Sequence, residues 1–538
     1  MNANVDYIIK TAIGEFNYLD YKGQHITATN SIEGHARSAI LKGNTLVNIS
    51  SLNGEITLAP ASVQYIDSPF IKNDTTFTIS FNCSSVPTTG FIEFRQVFEN
   101  TALKMENKPV VQGYNRFKVI TGSSEINRFR FKNDSTSETD FIFNNLMILE
   151  GDYTNVDVPY FTGMQSVKMP VLTTTGKNLI QQMTFKKSGD RNISNETIKV
   201  TKGVTYTLSF SSGIINTALS LTRNNTSVPP IPTENESVVQ NLIGFSNYSS
   251  VTFTAVETGE FYLHFRGNVT ETSESLSNSN IQLEEGSVAT SYEPFKSNIL
   301  TVNEEVELRG IGDVQDTLNC LTGEVTERIG EYQITGEENW DFLPSVRRLQ
   351  IQNPKFIPNI KCGAFACDKL QAKQMNDGSL HGTVGTYYIG YTSDNWLRII
   401  LGEDLTSLEQ GKEWLKANKP TIQYQLKTES IKTVDLSDNH VYSYKGTTHY
   451  DCSSAEGSLV PTLSVKVPTD TQLTIQEQKA TTQTLLIKNM DLQQSIKEVQ
   501  AMNLAFNTAL YNSFNSIREE VEDIKKHVST NENLEGSF

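Results

Sequence analysis

A segment of this chain occurs twice, and the repeat narrows the folds open to it. Asn145-Leu-Met-Ile-Leu-Glu150-Gly151 returns as Asn280-Ile-Gln-Leu-Glu-Glu285-Gly286, an offset of 135 residues. Nine residues beyond each Glu stands a proline followed by an aromatic, Pro159-Tyr160 and Pro294-Phe295. Upstream, Thr76-Phe-Thr-Ile-Ser-Phe81 is answered by Thr205-Tyr-Thr-Leu-Ser-Phe210, and Arg130-Phe131-Lys132 by His264-Phe265-Arg266. That spacing is the size of one small domain. Period-2 runs such as Phe77/Ile79/Phe81, with Phe91-Ile-Glu-Phe94 and Phe261-Tyr-Leu-His-Phe265, predict strands. Strands at short spacing with no long helix predict a β-sandwich in each copy. The proline-rich Val228-Pro-Pro-Ile-Pro232 reads as an extended loop within the second.

The end of the chain has a different period. Between Pro468 and Gly536 there is neither Gly nor Pro, and Thr469 or Asp470 suits a helix N-cap. Apolar positions run Leu492, Ile496, Val499, Asn503, Phe506, Leu510, Phe514, Ile517, Val521, Ile524 and Val528. The steps alternate four and three, with one extra step of four between Leu510 and Phe514, a stutter in a heptad seam. The seam is about 55 Å long. Asn503 at a core position reads as a register-setting polar residue, and Phe506 and Phe514 are bulky for two strands, so a trimer is expected. The competing arrangement is a helix folded back on its own body.

The fold class predicted is therefore mainly β, with tandem β-sandwich domains followed by a long C-terminal α-helical coiled coil. The boundaries are 1–50 for an N-terminal β-rich module, 51–168 and 169–297 for the two repeats, 298–467 for a third β-rich domain, 468–530 for the coiled coil and 531–538 for a flexible tail. In the first of these, Gly43-Asn44 reads as a tight hairpin turn. In the third, Thr322-Gly323 turns into the strand Val325–Ile329. Ser407-Leu-Glu-Gln410 is a capping box opening a short helix near 407–417, which Pro420 ends before the alternating Ile422, Tyr424 and Leu426.

Net charge is −16, with no Lys/Arg cluster dense enough to follow a phosphate backbone, so nucleic acid is not an expected partner. No apolar run is long enough to span a membrane, and the first residues lack a basic and apolar leader. The five cysteines are scattered, which points to plain thiols in a reducing cytosol. Without a secretory leader the Asn-x-Ser/Thr triplets are not read as glycosylated.

No catalytic signature emerges. Gly-x-Ser-x-Gly and His-Glu-x-x-His are missing, and Thr174-Thr-Gly-Lys177 lacks the first Gly of a phosphate loop. The seven histidines show no ligand spacing, so no metal ligand is assigned. The pairs Glu304/Glu305/Glu307 and Glu337/Glu338 read as solvated strand faces rather than a glycosidase pair. Glycan contact needs aromatic platforms beside polar groups. The best cluster is Tyr387, Tyr388, Tyr391, Asp394, Asn395 and Trp396, with Trp340 nearby; for each aromatic the competing role is core packing. Trp414 is expected on the inner face of the capped helix.

Several of these phrases resemble known proteins. Ser38-Ala-Ile-Leu-Lys-Gly-Asn-Thr-Leu-Val-Asn48 resembles the opening module of tail and baseplate proteins from phages and prophages of Gram-positive hosts. The endings Glu150-Gly151…Pro159-Tyr160 and Glu285-Gly286-Ser-Val-Ala-Thr-Ser-Tyr292-Glu-Pro-Phe295 resemble the closing strand of carbohydrate-binding-module-like jelly rolls in such proteins. Glu307-Leu-Arg-Gly310, Gly323–Gly330 and Trp414–Leu426 are similar to further tail-protein segments. The resemblance implies a non-enzymatic virion component assembled in the host bacterial cytoplasm, a homotrimeric tail fibre or baseplate-periphery protein. Its implied partners are other tail or baseplate proteins and host cell-wall polysaccharide or teichoic acid, with the N-terminal module or the other end docking on the virion. Relatives holding a structural calcium near the jelly-roll edge make Glu150 and Glu285 the positions to inspect, but matching Asp ligands are not identifiable and no cofactor is assigned. The alternatives are a glycan-degrading tail enzyme (a depolymerase) and a bacterial surface adhesin.

Overall fold

The computed structural model describes residues 18–535 apart from 51–53, 67–73, 87–90, 99–100, 122–125, 134–138, 155–157, 189–190, 224–237, 268–275, 278, 355–359, 373–387, 393–394, 402–405 and 455–458. The protein is mainly β, in two compact units, Met1–Thr469 and Asp470–Phe538. The loop expected at Val228–Pro232 lies outside the described residues.

The first unit is built around a central body assembled from pieces of chain far apart in sequence. Its seven-stranded sheet runs, in spatial order, Tyr18–Gly23, Thr462–Pro468, Ser38–Lys42, Thr317–Asn319, Glu324–Gln333, Thr421–Thr433 and Ile360–Cys367. A four-stranded sheet, His25–Ser31, Gly446–Ser454, Pro170–Thr175 and Ser297–Leu300, contributes to the same core. That core joins Ala39, Leu41, Leu318, Val325, Leu463 and Val465 of the larger sheet to Ile26, Ala28, Leu172, Leu300 and Tyr450 of the smaller. Residues 1–50 and 298–467 are thus not two separate domains. Their strands share ladders, because alternating residues such as Ala39/Leu41 and Leu463/Val465 bury one face only when laid side by side.

The two repeats are insertions into this body, each with its own core. The first has two four-stranded sheets, one holding the strand Thr76–Ser85 and the other Ile126–Lys132. Their inner faces meet in a phenylalanine cluster, Phe81 against Phe131 at 5.6 Å and Phe131 against Phe143 at 4.6 Å between ring centroids. In the second, the long strand Thr205–Thr222 bends through several bulges and joins its neighbours into one curled sheet around Leu208, Leu219, Leu263 and Phe265.

The copies agree residue by residue. Glu150 pairs with Phe77 and Glu285 with Tyr206, and Ile148 with Ile79 as Leu283 with Leu208. Gly151 and Gly286 have φ of 117° and 116°, a conformation that favours glycine. Both donate their amide to the first residue of the facing strand, Thr76 and Thr205. Each module also opens on a buried asparagine, Asn48 or Asn178. Asn48 donates to Leu146 O and accepts from Ile148 N; Asn178 donates to Ile281 O and accepts from Leu283 N. The modules therefore begin at Asn48 and Asn178 rather than at 51 and 169, and the strands Met164–Lys168 and Pro170–Thr175 belong to the central body.

Residues 334–420, apart from the strand Ile360–Cys367 that joins the central sheet, form a third insertion. A five-stranded sheet packs Leu349, Leu397 and Ile399 against the helix Leu408–Asn418, whose Leu415 is buried. Ser407 caps this helix by accepting from Gln410 N, and Gln410 returns its side chain to Thr406 N. Lys419 closes it in the left-handed conformation before Pro420.

One local expectation fails. Ser38–Lys42 and Thr45–Val47 do not form a hairpin about Gly43-Asn44: the first pairs with Thr317–Asn319 and Thr462–Pro468, the second with Met164–Lys168. Gly43 serves a close approach of two backbones instead. A Cβ there would stand 2.5 Å from Arg309 O and Leu308 C. Its counterpart is Gly310, where a Cβ would meet Gly43 O at 2.6 Å.

The second unit is one helix, Thr471–Glu535, 65 residues long. It begins directly after Asp470 and continues through 531–535, the stretch expected as tail, because no breaker occurs before Gly536. Leu492, Ile496, Val499, Phe506, Leu510, Phe514, Ile517, Val521 and Ile524 are all exposed on it, as is Asn503. Val528 has no described side chain.

Gly43→Ala should lower unfolding stability by about 2–3 kcal/mol, as backbone must shift to admit the methyl. Gly244→Ala, where a Cβ would meet nothing within 4 Å, should change it by less than about 0.5 kcal/mol. Urea midpoints of the two variants check the contrast.

Candidate functional site

Two imidazoles and two carboxylates converge where the second module meets the central body. The strands His25–Ser31 and Gly446–Ser454 pair antiparallel with His25 opposite Asp451 and Thr27 opposite His449. Alternate residues of a strand share a face, so these four side chains line one face of the pair. Glu285 reaches them from the closing strand of the second module, Ile281–Glu285.

His25 sits between the acids. Its Nδ1 lies 2.6 Å from Asp451 Oδ1 and its Nε2 2.9 Å from Glu285 Oε1. Thr27 donates to the other Glu285 oxygen at 2.7 Å. His449 is 1% exposed; its Nδ1 is 3.2 Å from the Thr27 hydroxyl and 3.9 Å from Glu285 Oε2. Its Nε2 is buried with no hydrogen-bond partner.

The electrostatics follow from this packing. Hydrogen bonds to Asp451 and then Glu285 outweigh the desolvation of His25 and raise its pKa to about 10. Burial alone would raise Glu285, but the bonds from His25 and Thr27 prevail and hold it at about 2. Asp451 is likewise lowered, its burial overcome by the bond to His25 and by the nearby charges of His25 and Lys199. Burial pushes His449 down, keeping it neutral. An imidazolium held by two carboxylates is a clamp. The donor atoms of His25, Glu285 and His449 also lie within 4.8 Å of one another, a set able to hold a metal ion. No local spacing brings the three contributing strands together, since His25 is 426 residues from Asp451 and 260 from Glu285. Glu285 stands out in the sequence through the repeat and, with Glu150, through the calcium that the resemblance allows at the jelly-roll edge; Glu150 is exposed and takes no part in the group.

The residues expected to contact glycan are divided by the fold. Tyr387 and Asp394 lie outside the described residues, as does the side chain of Tyr388. Tyr391 is buried in the core of the third insertion, its hydroxyl donating to Asn395 Oδ1 at 3.3 Å. Trp340 is buried in the same core and donates to Glu338. Trp414 packs partly buried against it. Asn395 is exposed and Trp396 half-buried, with the Arg398 guanidinium 6.0 Å from the Trp396 ring. A second aromatic surface lies on the first module. A cleft of about 220 Å³ is lined by Tyr114, Tyr160, Asn82, Asn145, Met147, Val158 and Pro159. Tyr114 and Tyr160 are exposed there, and Arg116 lies 4.9 Å over the Tyr114 ring and donates to its hydroxyl.

Comparison with protein-family models and with curated proteins gives no match for this chain.

The clamp predicts a stability profile in chelator-containing buffer. His25, raised from 6.5 to about 10, contributes fully below pH 6.5 and loses its contribution as pH rises towards 10. Glu285, lowered from 4.5 to about 2, contributes above pH 4.5 and loses it as pH falls towards 2. Urea midpoints should therefore be highest near pH 4.5–6.5. His25→Gln should cost about 2 kcal/mol there and flatten the alkaline limb.

Proposed function

We propose that the chain is a structural component of a phage tail, a fibre or baseplate-periphery protein. It assembles as a homo-oligomer, a trimer by preference, through a C-terminal coiled coil, and displays jelly-roll-like β-sandwich modules for attachment to host cell-surface glycans. The observation carrying this reading is the helix Thr471–Glu535 with its heptad stripe uncovered. Phe506 and Phe514 are 64% and 70% exposed in a single chain. A contiguous apolar stripe of that length in water marks an interaction surface, and heptad spacing makes other copies of the same helix its natural cover. The repeat of one β-sandwich module and the resemblance of its closing strand to tail-protein jelly rolls support the display role. The cleft of Tyr114 and Tyr160, two aromatic faces beside Asn82 and Asn145, offers a sugar stacking surfaces and amide hydrogen bonds together. Several copies per assembly would turn weak contacts there into firm attachment.

The mass of the purified chain by light scattering should be that of a trimer, falling to a monomer when residues 470–538 are removed. A monomer in both cases would remove the basis of the reading. Phe506→Asp with Phe514→Asp should dissociate the oligomer while leaving the β unit folded by circular dichroism. For the display role, Tyr114→Ala with Tyr160→Ala should reduce retention on cell walls of Gram-positive bacteria at least tenfold. Trp396→Ala tests the site expected from sequence in the same assay.

A further inference from the structure

We propose that His25, His449 and Glu285 form a binding site for a divalent first-row transition ion, of which zinc is the test case, and that this ion locks the second module to the central body.

The donor set argues the class of ion. Two imidazole nitrogens and one carboxylate are the ligands that zinc-like ions prefer, whereas calcium and magnesium take oxygens almost exclusively. The separations argue the fit. Donors about 2.0–2.1 Å from a tetrahedral zinc lie about 3.4 Å from one another. Here His25 Nε2 is 2.9 Å from Glu285 Oε1, His449 Nδ1 is 3.9 Å from Glu285 Oε2, and no pair of donor atoms exceeds 4.8 Å. Shifts of about an ångström, which side-chain rotation supplies, bring them to one centre.

The surroundings are those of a ligand set. Asp451 stands 2.6 Å from Nδ1 of His25, where its carboxylate accepts a hydrogen bond from Nδ1–H and leaves Nε2 as the metal-facing lone pair. That carboxylate–histidine–metal relay orients ligand imidazoles in known zinc proteins. His449 is nearly inaccessible, and its Nδ1, the nitrogen that faces Glu285, meets only a hydroxyl that already donates to Glu285. Hydrogen bonding alone gives a weak account of an imidazole buried so deeply. Charge points the same way. Without an ion, the His25 imidazolium between Glu285 and Asp451 offsets only one of their two negative charges, and an ion bound at Nε2 takes the place of the proton there. A divalent ion would balance both. The side chains of His25 and Asp451 remain about one-third exposed, which leaves an entry path.

The proposal does not depend on the phage-tail reading. Its test uses the full chain, stripped with chelator and titrated with zinc by calorimetry and with cobalt by visible absorption. One ion per chain, with the cobalt spectrum of a four-coordinate site, is expected. His449→Gln and Glu285→Gln should each weaken binding at least a hundredfold, and Asp451→Asn ten- to a hundredfold. His440→Gln is the control, because His35 and His440 form a second histidine pair, 4.7 Å apart, distant in role from this one; it should leave binding intact. Absence of stoichiometric binding, binding unchanged in both His449→Gln and Glu285→Gln, or binding lost only in His440→Gln would overturn the assignment. Should the variants fail to fold, the wild-type chain decides: its melting temperature should climb with zinc concentration, and a melting temperature indifferent to zinc would refute the lock.

Discussion

The β unit depends on the pairing of its first and last described strands. Tyr18–Gly23 lies antiparallel to Thr462–Pro468 in unbroken register, from Tyr18 opposite Pro468 to Gly23 opposite Leu463. Thr462–Pro468 in turn pairs with Ser38–Lys42, which pairs with Thr317–Asn319. Almost all the intervening chain is therefore a set of loops closed by this one sheet. Loop-closure entropy grows only with the logarithm of length, about 0.6 kcal/mol for each doubling. Long excursions are thus tolerated provided each returns with a core of its own. Three do: the phenylalanine core of the first repeat, the aliphatic core of the second, and the core packed under the helix Leu408–Asn418.

The two repeats share a framework and differ in how they are held. In both, a buried asparagine ties the module's entry to its closing strand, and a glycine near φ 117° ends that strand. The outward residues of the closing strand then diverge. Met147 and Leu149 of the first copy are apolar and join the core of the central body. The equivalent Gln282 and Glu284 are turned to polar work, with Glu284 accepting from Gln282, Thr290 N and the Thr290 hydroxyl. A module without that apolar anchor needs another hold on the body, and Glu285 with His25 supplies it. The two modules share the frame of the closing strand, while two differences on one face make its contact apolar in the first copy and polar in the second.

What could be read from the sequence was what local periodicity encodes. The strands at Phe77–Phe81 and Thr205–Phe210, the turn at Thr322-Gly323, the capped helix after Ser407 and the uninterrupted C-terminal helix all follow from residue spacing or capping chemistry. The insertion plan did not, because no local signal distinguishes a strand that pairs with its neighbour from one that pairs far along the chain. Gly43-Asn44 illustrates the ambiguity: the dipeptide suits a hairpin, yet Gly43 is required by contact with Gly310. The His25 cluster was hidden for the same reason, its contacts spanning 426 and 260 residues of sequence. Aromatic spacing was also insufficient to separate a sugar platform from core packing. Tyr391 and Trp396 stand on neighbouring paired strands, but the first is buried and the second half open.

The clamp and the uncovered helix bear on the proposed attachment role in complementary ways. Avidity multiplies weak contacts only when several sites can be engaged together, so the geometry of display matters as much as the affinity of each site. The helix stripe would set the number of copies. Within each copy, orientation is set by how the modules are fastened to the central body. The first is fixed by the contiguous packing of Met147 and Leu149 with Val158 and Phe161. For the second, the His25–Glu285–Asp451 group adds a polar fastening whose strength depends on protonation. A module fixed by apolar burial keeps its orientation across pH, whereas one held partly by an imidazolium between carboxylates loosens outside a window. The two modules would therefore differ in rigidity as conditions change, and the first, which carries the tyrosine cleft, is the one whose orientation is insensitive to them.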